Sequence, residues 1–148
     1  MKKRLAGTFV AVAVLAPTLI VTGSGQAHAA TKTVQWKNKG NGKCLSSIGN
    51  LVETDACNLR ITNWRETKKS DGTYTLTNST DGWCLDSKRD HTVYTLKCNG
   101  GKNQRWREIK DSSGWRLVNK ATGFTVGARP NGSVYADYDG SIKHQRWS

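Results

Sequence analysis

The sequence predicts an all-β protein in which three copies of a unit of about 40 residues close a barrel around a pseudo-threefold axis. Three observations carry this expectation. A turn-rich phrase recurs three times in register, each copy closes on a tryptophan, and no stretch after residue 30 holds a sustained helical period.

The phrases WKNKGNGKC at 36–44, LTNSTDGWC at 76–84 and LVNKATGFT at 117–125 align without a gap. They place Asn38, Asn78 and Asn119 at one position and Gly42, Gly82 and Gly123 at another, with 40 to 42 residues between copies. The copies close on Trp64, Trp106 and Trp147. A shared barrel core demands such recurrence, and tryptophan buries a large apolar area while its N–H seeks one partner. These three tryptophans are therefore expected in the core. The glycines are expected in turns, where a missing side chain permits positive φ. Period-two alternation predicts half-buried strands at 34–36, 74–76 and 115–117, and further strands fit 93–96 and 134–136. A propeller would need more blades than three copies supply.

The chain begins with an address label. Lys2, Lys3 and Arg4 precede an apolar stretch from Leu5 to Val21, and Ala27-His28-Ala29 matches a small-residue cleavage site. We expect a secretory leader over 1–29, a single domain over 30–148, and release from the cell. Pro17 and the small-residue exit argue against an uncleaved membrane span. Cleavage removes three of the 23 basic residues and none of the 11 acidic ones, leaving 119 residues with a formal charge of +9. The four cysteines, Cys44, Cys57, Cys84 and Cys98, read as a disulfide framework for which three pairings exist. Neither a CxxC nor a Cys/His cluster of zinc-like spacing occurs, and no glycine-rich helix start is available for a nucleotide, so no metal and no cofactor are expected.

Further motifs narrow the class. QRW stands at 104–106 and again at 145–147, CLD at 84–86, and CNGG followed by Asn103 and Gln104 downstream of it. On these the chain resembles the ricin-B-type (R-type lectin) β-trefoil family of exported bacterial carbohydrate-binding modules, whose repeated signature is Q-x-W. The resemblance covers residues 32–148, with Thr62-Asn-Trp64 where the first Q-x-W belongs. It implies a β-trefoil, a non-catalytic sugar-binding role, and one disulfide within each of the first two repeats, Cys44–Cys57 and Cys84–Cys98. Each bridge would close a loop of about 14 residues and contribute roughly 3 kcal/mol in the chain-entropy account.

In that family a sugar site uses the Asp of C-x-D, an aromatic residue on the next strand, and the Asn before and the Gln within Q-x-W. Carboxylate and amide groups take up hydroxyls, and an aromatic face covers the apolar side of the ring. Repeat two keeps Asp86, Asn103 and Gln104. Leu96 stands at its aromatic position, and Tyr94, on the same strand face, is the substitute. Repeat one has Ser46, Asp55, Ile61 and Thr62 at the four positions, and repeat three has Gly127, Asp137 and His144 at three of them. At most one family-type site is therefore expected, in repeat two. The competing reading is that Asp86, Asn103 and Gln104 only brace turns.

Charge offers an alternative partner. Lys37, Lys39 and Lys43 crowd the first turn, Arg60, Arg65, Lys68 and Lys69 the first junction, and Arg105, Arg107 and Lys110 the second Q-x-W. Such loops attract an anionic cell-wall polymer, or a protein partner in the manner of a protease inhibitor. Nucleic acid ranks last, because most tryptophan is claimed by the core. Catalysis is not expected: His91 and His144 lack a Ser/His/Asp setting, and Asp137 with Asp139 reads as a solvated turn sooner than as a glycosidase pair.

Overall fold

A computed structural model describes residues 29–148, so the expected leader lies outside the described residues except for Ala29. Eleven strands occur among the described residues. Repeat one contains β1 (Thr31–Val34), the hairpin β2 (Cys44–Ile48) and β3 (Leu51–Asp55), and β4 (Trp64–Lys68). Repeat two contains β5 (Tyr74–Asn78), the hairpin β6 (Cys84–Ser87) and β7 (Val93–Leu96), and β8 (Trp106–Asp111). Repeat three contains β9 (Gly114–Asn119), the hairpin β10 (Thr125–Ala128) and β11 (Val134–Asp137), and a last segment through Trp147. A single 3-10 turn precedes each closing tryptophan. The first predicted strand is displaced: it lies at Thr31–Val34, and Trp36 sits just beyond it in the core.

Antiparallel pairing runs from β1 to β4, β5, β8 and β9 in turn. Bridges from Trp115 to Trp147 and from Trp147 to Asn38 close the ring. The three hairpins cap this barrel and clasp one another in a cycle. Thr54 N–H donates to the Gly132 carbonyl (2.9 Å), Thr95 N–H to Asn50 (3.2 Å) and Ala136 N–H to His91 (3.1 Å). A six-strand barrel under a three-hairpin cap is a β-trefoil. No helix among the described residues is long and apolar enough to cross a membrane.

The repeated residues carry the symmetry. Trp64, Trp106 and Trp147 are fully buried, and their indole N–H groups donate to the carbonyls of Leu45, Leu85 and Val126 at 2.9, 2.9 and 3.0 Å. Each of these three buried N–H groups thus has its partner, whereas the indole N–H of Trp36, also in the core, has none among the described residues. Asn38, Asn78 and Asn119 staple successive repeats, donating to the carbonyls of His144, Ile61 and Asn103 at 2.8, 2.8 and 2.7 Å. Their side-chain oxygens accept main-chain N–H groups of the following turn. Gly42, Gly82 and Gly123 adopt φ near +75° in those turns, at 74°, 77° and 76°. The bridges are Cys44–Cys57 and Cys84–Cys98. Repeat three lacks a bridge and is held by packing, in which His91 stacks on Phe124 (4.8 Å) and Phe124 meets the edge of Tyr138 (5.0 Å).

Candidate functional site

Repeat two assembles its residues at the base of the β6–β7 hairpin. The register sets Asp86 opposite Tyr94 and Cys84 opposite Leu96. Gln104, at the end of the 3-10 turn Lys102–Gln104, is 1% exposed. Its amide N–H groups donate to Asp86 Oδ2 (3.0 Å) and the Lys97 carbonyl (3.2 Å), and its oxygen accepts Asn99 N–H (2.8 Å). Both of its donors and its oxygen serve the fold, and one bond aims the Asp86 carboxylate. Asp86 is 2% exposed, and its second oxygen, Oδ1, is buried without a hydrogen bond.

Asn103 donates to the Ser87 carbonyl at 2.6 Å, tying the Q-x-W turn to β6. Tyr94 is partly buried, with the Lys88 ammonium 4.9 Å from its ring centre. Burial, and secondarily the Asp86 carboxylate beside it, push its phenol up to about 12, so it is a protonated donor at neutral pH. Leu96 is 43% exposed and forms an apolar rim. The structure thus brings Asp86, Tyr94, Asn103 and Gln104 to one hairpin base, with Leu96 at its edge.

The other repeats fill the equivalent space differently. In repeat one Ser46 donates to the Glu53 carbonyl (3.0 Å), and Gln35 supplies the amide that Thr62 lacks, donating to the Cys57 carbonyl (2.6 Å) and Thr62 Oγ1 (2.9 Å). Gln35 precedes the repeated phrase, so motif alignment passes over it. In repeat three Tyr135 pairs with Gly127, and a Cβ on Gly127 would lie 2.6 Å from the tyrosine ring. That ring occupies the place where Asp86 stands in repeat two. Asp137 lies 3.5 Å from His91 Nδ1, whereas Asp139 pairs with Arg116 (3.2 Å) and Arg146 (2.8 Å). The two acids serve different partners. His144 packs its ring over Gly40.

A largely buried acid pair escapes motif reading. Glu66 is 3% exposed and pairs with Lys32 at 3.3 Å, and one oxygen each of Glu66 and Glu108 is buried without a hydrogen bond. Burial, then the Glu66 carboxylate, raise the Glu108 carboxyl to about 8. Both residues stand two places after a core tryptophan, a repeat of position that the Q-x-W signature does not include.

The barrel, the hairpin cap and the tryptophan–carbonyl clasp define a class of threefold β modules. The chain belongs to the ricin-type β-trefoil lectin domain-like family, whose sequence model matches residues 60–140. No match is found among curated proteins. Solved structures share the fold at low identity. The designed threefold-symmetric protein ThreeFoil aligns with TM-score 0.70 and 23% identity over 78% of this chain and 95% of its own. The GlcNAcα1-4Gal-releasing endo-β-galactosidase from Clostridium perfringens aligns with TM-score 0.71 and 16% identity over 79% of this chain and 32% of its own. The Haemophilus ducreyi cytolethal distending toxin aligns with TM-score 0.69 and 15% identity over 78% and 80%.

Proposed function

We propose that the protein is a secreted, non-catalytic carbohydrate-binding module with one sugar site, in repeat two. The observation that carries this reading is Asp86. One of its oxygens is fixed by Gln104, and the other is a buried acceptor that receives no hydrogen bond of good geometry, with the Tyr94 hydroxyl as its neighbouring donor. An orphaned buried acceptor is costly in a structure with no use for it, and a sugar hydroxyl is the donor that satisfies it. Asn103 keeps its side-chain oxygen as a second acceptor, because its amide N–H is engaged by Ser87. The Tyr94 ring and Leu96 supply the apolar face that packs against the sugar. Gln104 positions Asp86 and does not touch the sugar.

Family membership supports the class, and the two disulfides fit an oxidising, extracellular compartment. One shallow site gives weak binding, and multivalent presentation would strengthen it. Amide spectra of the purified oxidised protein, titrated with neutral mono- and disaccharides, test the proposal. Shifts confined to β6, β7 and residues 97–104 that vanish in Asp86→Asn support it. Shifts elsewhere, or none at high millimolar sugar, overturn it.

A further inference from the structure

Where repeat three returns to repeat one, a cavity of about 540 Å³ opens, lined in part by Lys37, Lys39, Ser112, Ser141, Ile142 and Lys143. Ring closure builds it. Lys39 N–H donates to the Arg146 carbonyl (2.9 Å), and the Asn38 amide to the His144 carbonyl (2.8 Å). The pseudo-threefold axis supplies a counterpart at the junction of repeats two and three. There Lys120 N–H donates to the Arg105 carbonyl (2.8 Å), and the Asn119 amide to the Asn103 carbonyl (2.7 Å).

The two junctions differ in charge. At the second, Asp71 accepts from Arg105 (3.2 Å) and also from Lys120, so one internal carboxylate serves both cations. At the first, Arg146 stands for Arg105, Lys39 for Lys120 and Asp111 for Asp71. Here Asp111 is engaged by Arg116 and Arg146, each at 3.3 Å, and Asp139 by the same two arginines at 3.2 and 2.8 Å. Two carboxylates against two arginines leave Lys39 without a counterion. Lys37 and Lys143 likewise make no salt bridge among the described residues. The stem of Lys39 lies across Gly114, where an added Cβ would meet it at 3.2 Å.

We propose that this junction is a binding site for an acidic saccharide, with an external carboxylate or phosphate group taking the role that Asp71 plays at the second junction. Three unmatched ammonium groups around one cavity concentrate positive potential, and ammonium, a point charge, accepts either oxyanion. Ser112 and Ser141 line the cavity and bring hydroxyl groups to it, and Ile142, 48% exposed, offers an apolar surface to the ring. The volume lies within the usual range for small-molecule sites, roughly 300–1,000 Å³. None of these residues belongs to the repeat-two site, so this site stands whether or not that one binds sugar.

Calorimetric titration of the purified oxidised protein with oligogalacturonate, a polyol-phosphate oligomer and a neutral oligosaccharide of matched length, in 0.15 M salt (about an 8 Å screening length), tests the assignment. Lys37→Gln/Lys39→Gln/Lys143→Gln is compared with Arg60→Gln/Lys68→Gln/Lys69→Gln, which removes the same charge elsewhere, and with Asp86→Asn. Binding of either acidic oligomer that falls at least tenfold in the first triple variant alone establishes the site. The two oligomers separate carboxylate from phosphate recognition. Equal weakening in both triple variants, loss in Asp86→Asn, or no binding of either acidic oligomer overturns it.

Discussion

Asp86 Oδ2 accepts a hydrogen bond from Gln104 Nε2 at 3.0 Å, with both side chains buried. This bond joins the β6–β7 hairpin to the Q-x-W turn, so the residue that aims the candidate acceptor also braces the barrel. Gln104→Ala removes two donated bonds and one accepted bond at about 1 kcal/mol each and leaves a small cavity. We expect a loss of about 2–4 kcal/mol in urea denaturation. Asp86→Ala also leaves a buried donor short of an acceptor, whereas Asp86→Asn keeps the shape and the acceptor toward Gln104. The asparagine variant is therefore the one that separates binding from folding.

Trp64, Trp106 and Trp147 make the same indole-to-carbonyl bond in three repeats. Replacing any one by phenylalanine removes that bond and part of the packed ring. Each variant is expected to lose about 2–4 kcal/mol, with the three values close to one another. Chemical denaturation of the three single variants checks this, and one value near zero would break the symmetry argument.

The Glu66–Glu108 pair gives stability a definite pH dependence. The Glu108 carboxyl titrates near 4.5 when free and at about 8 in the folded protein. Between these values the folded state binds the extra proton, so the contribution is fully present below about 4.5 and is lost as pH rises through about 8. At the acid end Asp71, Asp111 and Asp139, held below the usual carboxylate range chiefly by hydrogen bonds from Lys120, Ser113 and Arg146, lose their contribution on protonation. Thermal melts should show a Tm higher at pH 5 than at pH 8.5 by at least about 3 °C. Glu108→Gln should flatten the alkaline side of that curve.

Each disulfide closes a short loop inside one repeat. Cys84→Ser/Cys98→Ser and Cys44→Ser/Cys57→Ser should each lower stability by about 3 kcal/mol. The two effects should add, because the bridges lie in different repeats. Guanidinium unfolding of both double variants and of the combined variant measures this.

The architecture was legible because threefold symmetry writes the same residue at the same position three times. Asn38, Asn78 and Asn119, and the three tryptophans, each answer one geometric need, so alignment finds them. What alignment missed are the places where the repeats differ. Gln35 replaces a missing glutamine from outside the repeated phrase, and Tyr135 fills the place of an absent aspartate above Gly127. Such compensations depend on which side chains meet across the hairpin, and spacing in one copy does not encode them. The charge difference between the two junctions is hidden for the same reason. Asp71, Asp111 and Asp139 look alike in sequence, and only their arginine and lysine partners distinguish them. Motif reading named the repeat-two residues, but the burial of Asp86 and the bonds of Gln104 to Asp86, Lys97 and Asn99 have no mark in the sequence.

The most direct test of the central claim is retention of the purified oxidised protein on immobilised neutral glycans in 0.15 M salt, with Asp86→Asn run beside it. The account predicts retention that free sugar competes off and that Asp86→Asn abolishes, while the variant melts within a few degrees of the parent. Retention that survives Asp86→Asn, or no retention on any neutral glycan, would contradict it.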